Sequence, residues 1–406
     1  MGWVTAHHPD PAGLAACVQC GLCLPVCPTF RLTGRETASP RGRLQAMSAV
    51  ADGVMDLDSK FEEILDFCLG CRACEPVCPG MVPYGSLLEG SRAEIAAQVP
   101  STGRRFRGVI LGRVVPSRRV LGLLTAVLRL GQRLGLARVA PGRFRRSLSG
   151  MRRLQRPPAR EFSERGATGT VGVLLGCVQE QWFSPVNTAA IELLTMAGHQ
   201  VVIPEQQTCC GALAAHDGHA EIADMLTLRN EVAFGDCDLI VAAAAGCSAH
   251  LGDTYGRQRA EDITTTVARA IDDGLLPVLE PSGKAVVVQD PCHLRHAQRV
   301  TAAPRRIVHA AGFDVVETGD DGMCCGAAGL YTVLQPDASA VLGGQKAERI
   351  RMTGGTVVAS ANPGCEMQLR SFLGDDYIIR HPIELYLEAV KRAGSGTNVA
   401  PVETKS

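Results

Sequence analysis

Eight cysteines of this chain fall into one spacing that occurs twice. Cys17, Cys20, Cys23 and Cys27 form C-x2-C-x2-C-x3-C-P, and Cys68, Cys71, Cys74 and Cys78 form it again. Three thiolates two residues apart on a tight loop can reach three irons of one cubane. The fourth, held off by proline, points to a neighbouring cluster. The spacing therefore assigns Cys17, Cys20, Cys23 and Cys78 to one [4Fe-4S] cluster and Cys68, Cys71, Cys74 and Cys27 to a second. Zinc, the alternative, calls for paired C-x2-C knuckles rather than triplets with a remote fourth ligand.

The other cysteines carry a second pattern. Cys177 precedes the pair Cys209-Cys210 by 32 residues, and Cys292 precedes Cys324-Cys325 by the same 32. Both pairs run on into Gly-Ala, and both copies close with Gly-Cys, at Cys247 and Cys365. Short β-branched runs lead to these cysteines: TVGVLLG to Cys177, AVVVQDP to Cys292, DLIVAAAAG to Cys247 and GTVVASANPG to Cys365, while HQVVIP and FDVVET precede the paired cysteines by a short loop. Strands alternating with helical stretches imply a parallel sheet in each copy, with ligands gathering at the carboxyl ends of its strands. The four thiols of each copy are expected to meet there and to form at least one further metal or acceptor site. Cys237 falls outside the repeat and reads as a small buried hydrophobe. His293, directly after Cys292, and His250, three after Cys247, are candidates to ligate or to shuttle protons, with a satisfied structural histidine as the alternative.

Seventeen cysteines in 406 residues would suggest disulfides in an oxidising compartment. The N-terminal MGWVTAHHPDPAG lacks the features of a signal peptide and no run is apolar enough to span a bilayer, so the expected location is the cytoplasm. Metal or redox chemistry follows. No G-x-G-x-x-G opens a helix after a strand, no P-loop is present and no nucleophile elbow appears, so a dinucleotide site or Ser/His/Asp hydrolysis has no support.

Net charge is zero, yet residues 101–160 hold sixteen arginines and no acid, between two acidic regions. Within them LGLLTAVLRLGQRLGLARV has helical apolar spacing and PGRFRRSLSGMRRLQRPPAR reads as a basic linker. Few aromatics interleave with the arginines, which argues against nucleic acid. An anionic membrane surface is the expected counterpart of residues 104–156, and acidic parts of this chain or of a partner are the alternative. Arginines of SPRGR at 39–43 are expected to reach cluster sulfur or acidic neighbours, or else to sit in a solvated turn that caps the next helix.

The whole chain resembles the iron-sulfur subunits of bacterial glycolate oxidases, a family of two-cluster ferredoxin modules fused to paired cysteine-rich CCG domains. The residues that carry the resemblance are the two cysteine motifs, SPRGR, GCVQ at 176–179, CCGA at 209–212, PCHLRHAQ at 291–298, CCGAAGLY at 324–331 and RHPIELY at 380–386. It implies an α+β multidomain protein: an α-helical two-cluster [4Fe-4S] module over 1–100, a basic amphipathic helix and linker over 101–165, CCG α/β repeats with parallel sheets over 166–280 and 281–395, and a disordered tail over 396–406. It further implies a subunit of an oxidoreductase complex that converts glycolate to glyoxylate. In such a complex a separate FAD subunit oxidises the 2-hydroxy acid, and this subunit passes the electrons to a membrane acceptor such as quinone at the inner face of the cell membrane. Subunits of anaerobic glycerol-3-phosphate dehydrogenase, lactate-utilisation proteins and heterodisulfide reductase share the architecture, and in the last the CCG site itself is catalytic. Heterodisulfide reductase domains close with C-x-x-C, where this chain has Cys-Ser-Ala-His at 247–250 and Cys-Glu-Met-Gln at 365–368. The CCG cysteines Cys177, Cys209, Cys210 and Cys247, and Cys292, Cys324, Cys325 and Cys365, leave room for one or two further iron-sulfur or metal centres.

Overall fold

The N-terminal cysteine loops are held by short helices whose starts are written in the sequence. A computed structural model describes residues 3–135, 150–152, 154 and 169–395. Most of the basic linker and the tail expected to be disordered lie outside the described residues. Helices α1 (Pro11–Ala15), α2 (Pro28–Thr33), α3 (Pro40–Ala51), α4 (Ser59–Asp66) and α5 (Tyr84–Gln98) form the first unit. Three of them begin on proline at the first helical position, where the missing N–H costs nothing. Asp10, Ser39 and Asp58 cap α1, α3 and α4 by accepting from the first free amides. Met47, Val50, Phe61, Leu65, Leu87 and Ile95 close a core beneath the loops, each side chain fully removed from water and stabilising by about 1.5–3 kcal/mol.

Next come α6 (Thr102–Val109), a π-helical turn (Ile110–Val114) and α7 (Arg118–Arg133). Three arginines of this segment are committed to acids of the same chain: Arg104 to Glu62, Arg107 to Asp217 and Arg118 to Glu180. Acidic parts of the chain, the alternative counterpart suggested by the charge pattern, thus take up part of the charge. Arg152 goes further. It pairs with both Glu366 and Glu384 at 2.5 to 2.7 Å while its guanidinium lies 5.1 Å from the Phe183 ring centroid, so it ties the two repeats together.

The first repeat runs β1 (Thr170–Leu174), α8 (Val178–Trp182), α9 (Ser184–Met196), β2 (Gln200–Val202), α10 (Ala212–His216), α11 (Ala220–Ala233), β3 (Leu239–Ala242), α12 (Ala245–Tyr255), β4 (Ala260–Asp262) and α13 (Ile263–Asp272). The second runs β5 (Lys284–Gln289), a π-helical turn (His293–Ala297), α14 (Ala302–Ala310), β6 (Phe313–Glu317), α15 (Tyr331–Leu334), α16 (Pro336–Met352), β7 (Val357–Ser360), α17 (Pro363–Leu373), β8 (Ile378–Arg380) and α18 (Pro382–Gly394). Each repeat builds a four-stranded parallel sheet of the same topology, β2-β1-β3-β4 and β6-β5-β7-β8. Helices cover both faces, which is why the central strands are near-continuous Val, Ile and Ala rather than alternating. Gly172 in β1 is required by closeness: a Cβ there would lie 2.5 Å from Phe234 and 2.9 Å from Cys237 Sγ.

Helices α9 and α13 pack against α14 and α18 in one core that includes Leu193, Ile271, Ile307, Ile383 and Tyr386, so the repeats share an apolar interior. The ferredoxin unit sits on both repeats. Arg92 of α5 donates to the carbonyls of Leu65, Cys68 and His216, and the Tyr331 hydroxyl donates to Phe67 O at 3.3 Å.

Candidate functional site

The two cysteine loops share a backbone although, before their common Pro-Val-Cys-Pro ending, they share nothing but the cysteines. Gln19 and Gly70, two residues after the first cysteine of each motif, both have positive φ, at 54° and 63°. Gly21 and Arg72, two residues further, do so again at 80° and 60°. Such alternation turns successive amides toward one side and makes a nest for an anionic group. Gln19 and Arg72 accept a conformation that costs a non-glycine residue about 1 kcal/mol or more, a sign of a demand beyond packing.

Cys17, Cys20 and Cys23 line one recess together with Cys74 and Cys78 from the other motif, about 420 Å³ in free volume and partly open to solvent. Arg41 borders it, paired with Glu36 at 2.7 Å. Burial pushes the Cys23 thiol up. In the deeper loop, Cys27 lies close enough to Cys68, Cys71 and Cys74 to contribute to the charge environment of Cys71 and Cys74. Burial opposes ionisation of Cys68, but Arg43, Arg92, the Gly70 amide and the Tyr84 hydroxyl outweigh it and hold its pKa below the usual thiol value. Cys74, buried without such help, is pushed well up. The SPRGR turn does two things at once: Ser39 caps α3, while Arg43 is fully buried and donates to Ile64 O and Thr29 Oγ1 beside the Cys68 loop.

The repeat cysteines meet at the carboxyl ends of their strands. In the first repeat Cys177 and Cys209 Sγ are 3.4 Å apart and Cys210 and Cys247 Sγ 3.0 Å. In the second, Cys325 and Cys365 are 3.0 Å apart, and Cys292 lies against Cys324 and 3.6 Å from His293 Nδ1. Among the described residues no three His, Cys, Asp or Glu side chains surround one point as a mononuclear metal site would. The thiols lie in rows instead. Sulfur-only donors on nest-forming loops fit iron-sulfur ligation, and the residues that could hold such groups are the eight N-terminal cysteines and, in each repeat, the four that converge.

His250 is half-buried; its Nε2 has no hydrogen-bond partner among the described residues and lies 3.2 Å from where a Cβ on Gly211 would sit. At the corresponding place in the second repeat Gln368 is engaged by Ser339. Cys237 packs in the apolar core under β1.

Sequence reasoning missed a cluster where the three units meet. His216 Nδ1 lies 2.7 Å from Glu89 Oε1, and its ring is 5.4 Å from that of His293. Burial works against the Glu89 carboxylate, but its hydrogen bond with His216 and the nearby Arg72 hold its pKa down at about 2. Arg72, inside the second cysteine motif, also pairs with Glu75 and Asp253. The same junction brings Cys71 beside Cys292, in one packed cluster with Leu69, Cys324, Tyr331 and Leu342.

Comparison with known proteins agrees with this geometry. Residues 13–82 match a family model described as a 4Fe-4S dicluster domain, and residues 171–252 and 286–370 each match one described as a cysteine-rich domain. A probable glycolate oxidase iron-sulfur subunit of Bacillus subtilis is 32% identical, with 89% of each chain aligned. The glycolate oxidase iron-sulfur subunit of Escherichia coli is 30% identical, over 93% of this chain and 95% of its own. One chain of the fumarate reductase (CoM/CoB) of Methanothermobacter marburgensis is 28% identical, over 90% of this chain and 69% of that one. Identity at this level along nearly the full length of both chains means that the protein belongs to the glycolate oxidase iron-sulfur subunit family.

Proposed function

We propose that this chain receives electrons from an FAD-bearing partner that oxidises a 2-hydroxy acid, glycolate first, and delivers them to a quinone at the inner face of the cell membrane. Cys17, Cys20, Cys23 and Cys78 would hold one [4Fe-4S] cluster and Cys68, Cys71, Cys74 and Cys27 the other. Clusters bound there supply one-electron redox centres. The chain's own part is to shield the deeper set, tune it with Arg43, Arg92 and Tyr84, and hold it against the second repeat.

The observation that carries this reading is the approach of Cys71 to Cys292, which joins the ferredoxin unit to the cysteine-rich repeats through packed side chains. Direct catalysis at the repeat thiols is less well served, since Cys209, Cys210, Cys324, Cys325 and Cys365 are all buried.

Anaerobic purification with the native partners tests the proposal. About eight irons are expected from the N-terminal cysteines, more if the repeats are loaded, with flavin on a separate chain and glycolate-dependent reduction. Cys71→Ser should remove one reducible centre and leave the other. Tetrahedral zinc by X-ray absorption, with no cubane signal on reduction, would refute it.

A further inference from the structure

Helix α7 is amphipathic the wrong way round for a helix that belongs to a core. Its inward face is mostly polar, with Leu121 its one buried apolar side chain: the Trp182 indole donates to Thr125 Oγ1 at 3.0 Å, Arg118 pairs with Glu180, and Gln132 bonds the backbone of Arg152 and Leu154. Val120, Leu123, Leu124, Val127, Leu130 and Leu134 point away from the body, each between 42% and 68% exposed. At 1.5 Å per residue the stripe is about 21 Å long. A continuous apolar surface of this kind signals a partner.

The surroundings say which. Arg119 lies one turn from Leu123 and Arg133 one turn from Leu130, both exposed, as is Arg113 in the π-helical turn. The sequence has no Asp or Glu between Ser101 and Arg160 to oppose them. A protein interface of this size would be expected to carry Tyr, Trp or Met anchors, and the stripe is Val and Leu alone. Apolar aliphatics bordered by arginine are the pattern of a helix lying in a headgroup layer. No helix among the described residues is long and apolar enough to cross a bilayer, which leaves lying on it.

We infer that α7 lies in the plane of an anionic lipid surface, with Val120, Leu123, Val127 and Leu130 below the headgroups and Arg113, Arg119 and Arg133 among them. A second feature agrees. The inner side of the same segment, through Val115, Pro116, Arg118 and Leu121, closes a recess of about 290 Å³ against Cys177 and Cys209 of the first repeat. A lipid-borne acceptor at this helix would stand about one helix diameter, roughly 10 Å, from those thiols. The inference deepens the membrane-acceptor reading, and its test reads binding rather than turnover.

The experiment is co-sedimentation of the full chain with vesicles of phosphatidylcholine alone and of phosphatidylcholine with phosphatidylglycerol. Binding should require phosphatidylglycerol and weaken as salt rises. Changing Arg113, Arg119 and Arg133 to Gln should weaken it on the order of 100-fold. Leu123→Ser with Val127→Ser and Leu130→Ser should abolish it. Leu228→Ser with Val232→Ser, which alters equally exposed apolar side chains on α11 next to Glu231, should leave it unchanged. Equal binding to both vesicles, no binding, or full binding by the Leu/Val variant would overturn the inference. So would α7 variants that keep vesicle binding but lose the flavin-bearing partner in pull-down. Reduction of the variants by dithionite is read in parallel: failure there in the unaltered protein sinks the electron-transfer reading and leaves the lipid inference standing.

Discussion

The two cysteine-rich repeats have one topology and one cysteine frame, yet their thiols sit in different electrostatic settings. In the first repeat the Cys177 thiol is pushed up by its hydrogen bond to Cys209 and by burial, and Cys210 is pushed up although Cys209 donates to it. His250 does not offset this as a cation, since burial keeps it below its usual pKa. In the second repeat, hydrogen bonds from Cys324 pull Cys292 and Cys325 down, with His293 and Lys346 assisting, while Cys324 and Cys365 are themselves pushed well up by those same contacts and by burial. Because the thiolate is the metal ligand, the second frame holds two thiols, Cys292 and Cys325, that favour the anionic state, whereas Cys177, Cys209 and Cys210 of the first are not held down in this way. Position follows the same division. The second repeat touches the ferredoxin unit through Cys71 and Cys292, whereas the first faces the recess under α7. A duplicated scaffold has been specialised by what surrounds it.

The sharpest way to break this comparison is to remove one thiol from each repeat in the intact complex. Both Cys292→Ser and Cys177→Ser should lower quinone reduction, by on the order of 100-fold. Only Cys292→Ser should also alter the paramagnetic resonance spectrum of the Cys71 side, because only that thiol is its neighbour. Identical spectral responses to the two substitutions would erase the distinction between the repeats.

Much of this frame was legible in the sequence, and the parts that were not share a cause. Three strands of each sheet could be read because each ends on or near a cysteine that marks it. The fourth, Ala260–Asp262 and Ile378–Arg380, are three residues long and too short to show a period. The helical pattern over 118–133 was visible, but the direction of its apolar face was not. That direction is set by Glu180 and Trp182, about sixty residues further on. For the same reason Arg118 looked available for lipid although Glu180 holds it. The junction of Glu89, His216 and His293 draws one residue from each unit, so no local pattern could announce it.

A second contrast lies under the paired cysteines. In the second repeat Lys346 of α16 is fully buried and bonded to Asp320 at 2.6 Å. In the first, a neutral amide holds the equivalent loop: Asn230 of α11 donates to Cys209 O and accepts from Thr208 N. Lys346→Met strands a buried carboxylate and should cost about 3–5 kcal/mol, most of it recovered when Asp320→Leu is added. Asn230→Leu leaves two backbone groups unsatisfied and should cost less, about 1–3 kcal/mol. Urea unfolding measures both, and an equal or reversed order would show that the ion pair has no special standing in the second repeat.

The smallest effect expected concerns the residue that follows or ends the fourth strand and caps the next helix. It is Asp262 in the first repeat, bonded to Thr264 and Ser248, and His381 in the second, bonded to Ile383 N. Burial raises Asp262 from 3.8 to about 6 and lowers His381 from 6.5 to about 4. The signs are opposite. The folded state holds the Asp262 proton more tightly than the unfolded state does, so the stabilisation it gives is complete below pH 3.8 and disappears as pH rises through 6. The folded state resists protonation of His381, so its contribution is complete above pH 6.5 and disappears as pH falls through 4. Each is worth about 3 kcal/mol, and between pH 6 and 4 they largely cancel. Asp262→Asn removes the compensating half and keeps the cap. Its stability should therefore fall toward acid more steeply than that of the unaltered chain, by up to about 3 kcal/mol at pH 4. His381→Asn should do the reverse and flatten the acid side. Parallel stability curves for all three proteins between pH 4 and 7 would mean that these caps do not titrate as their burial demands.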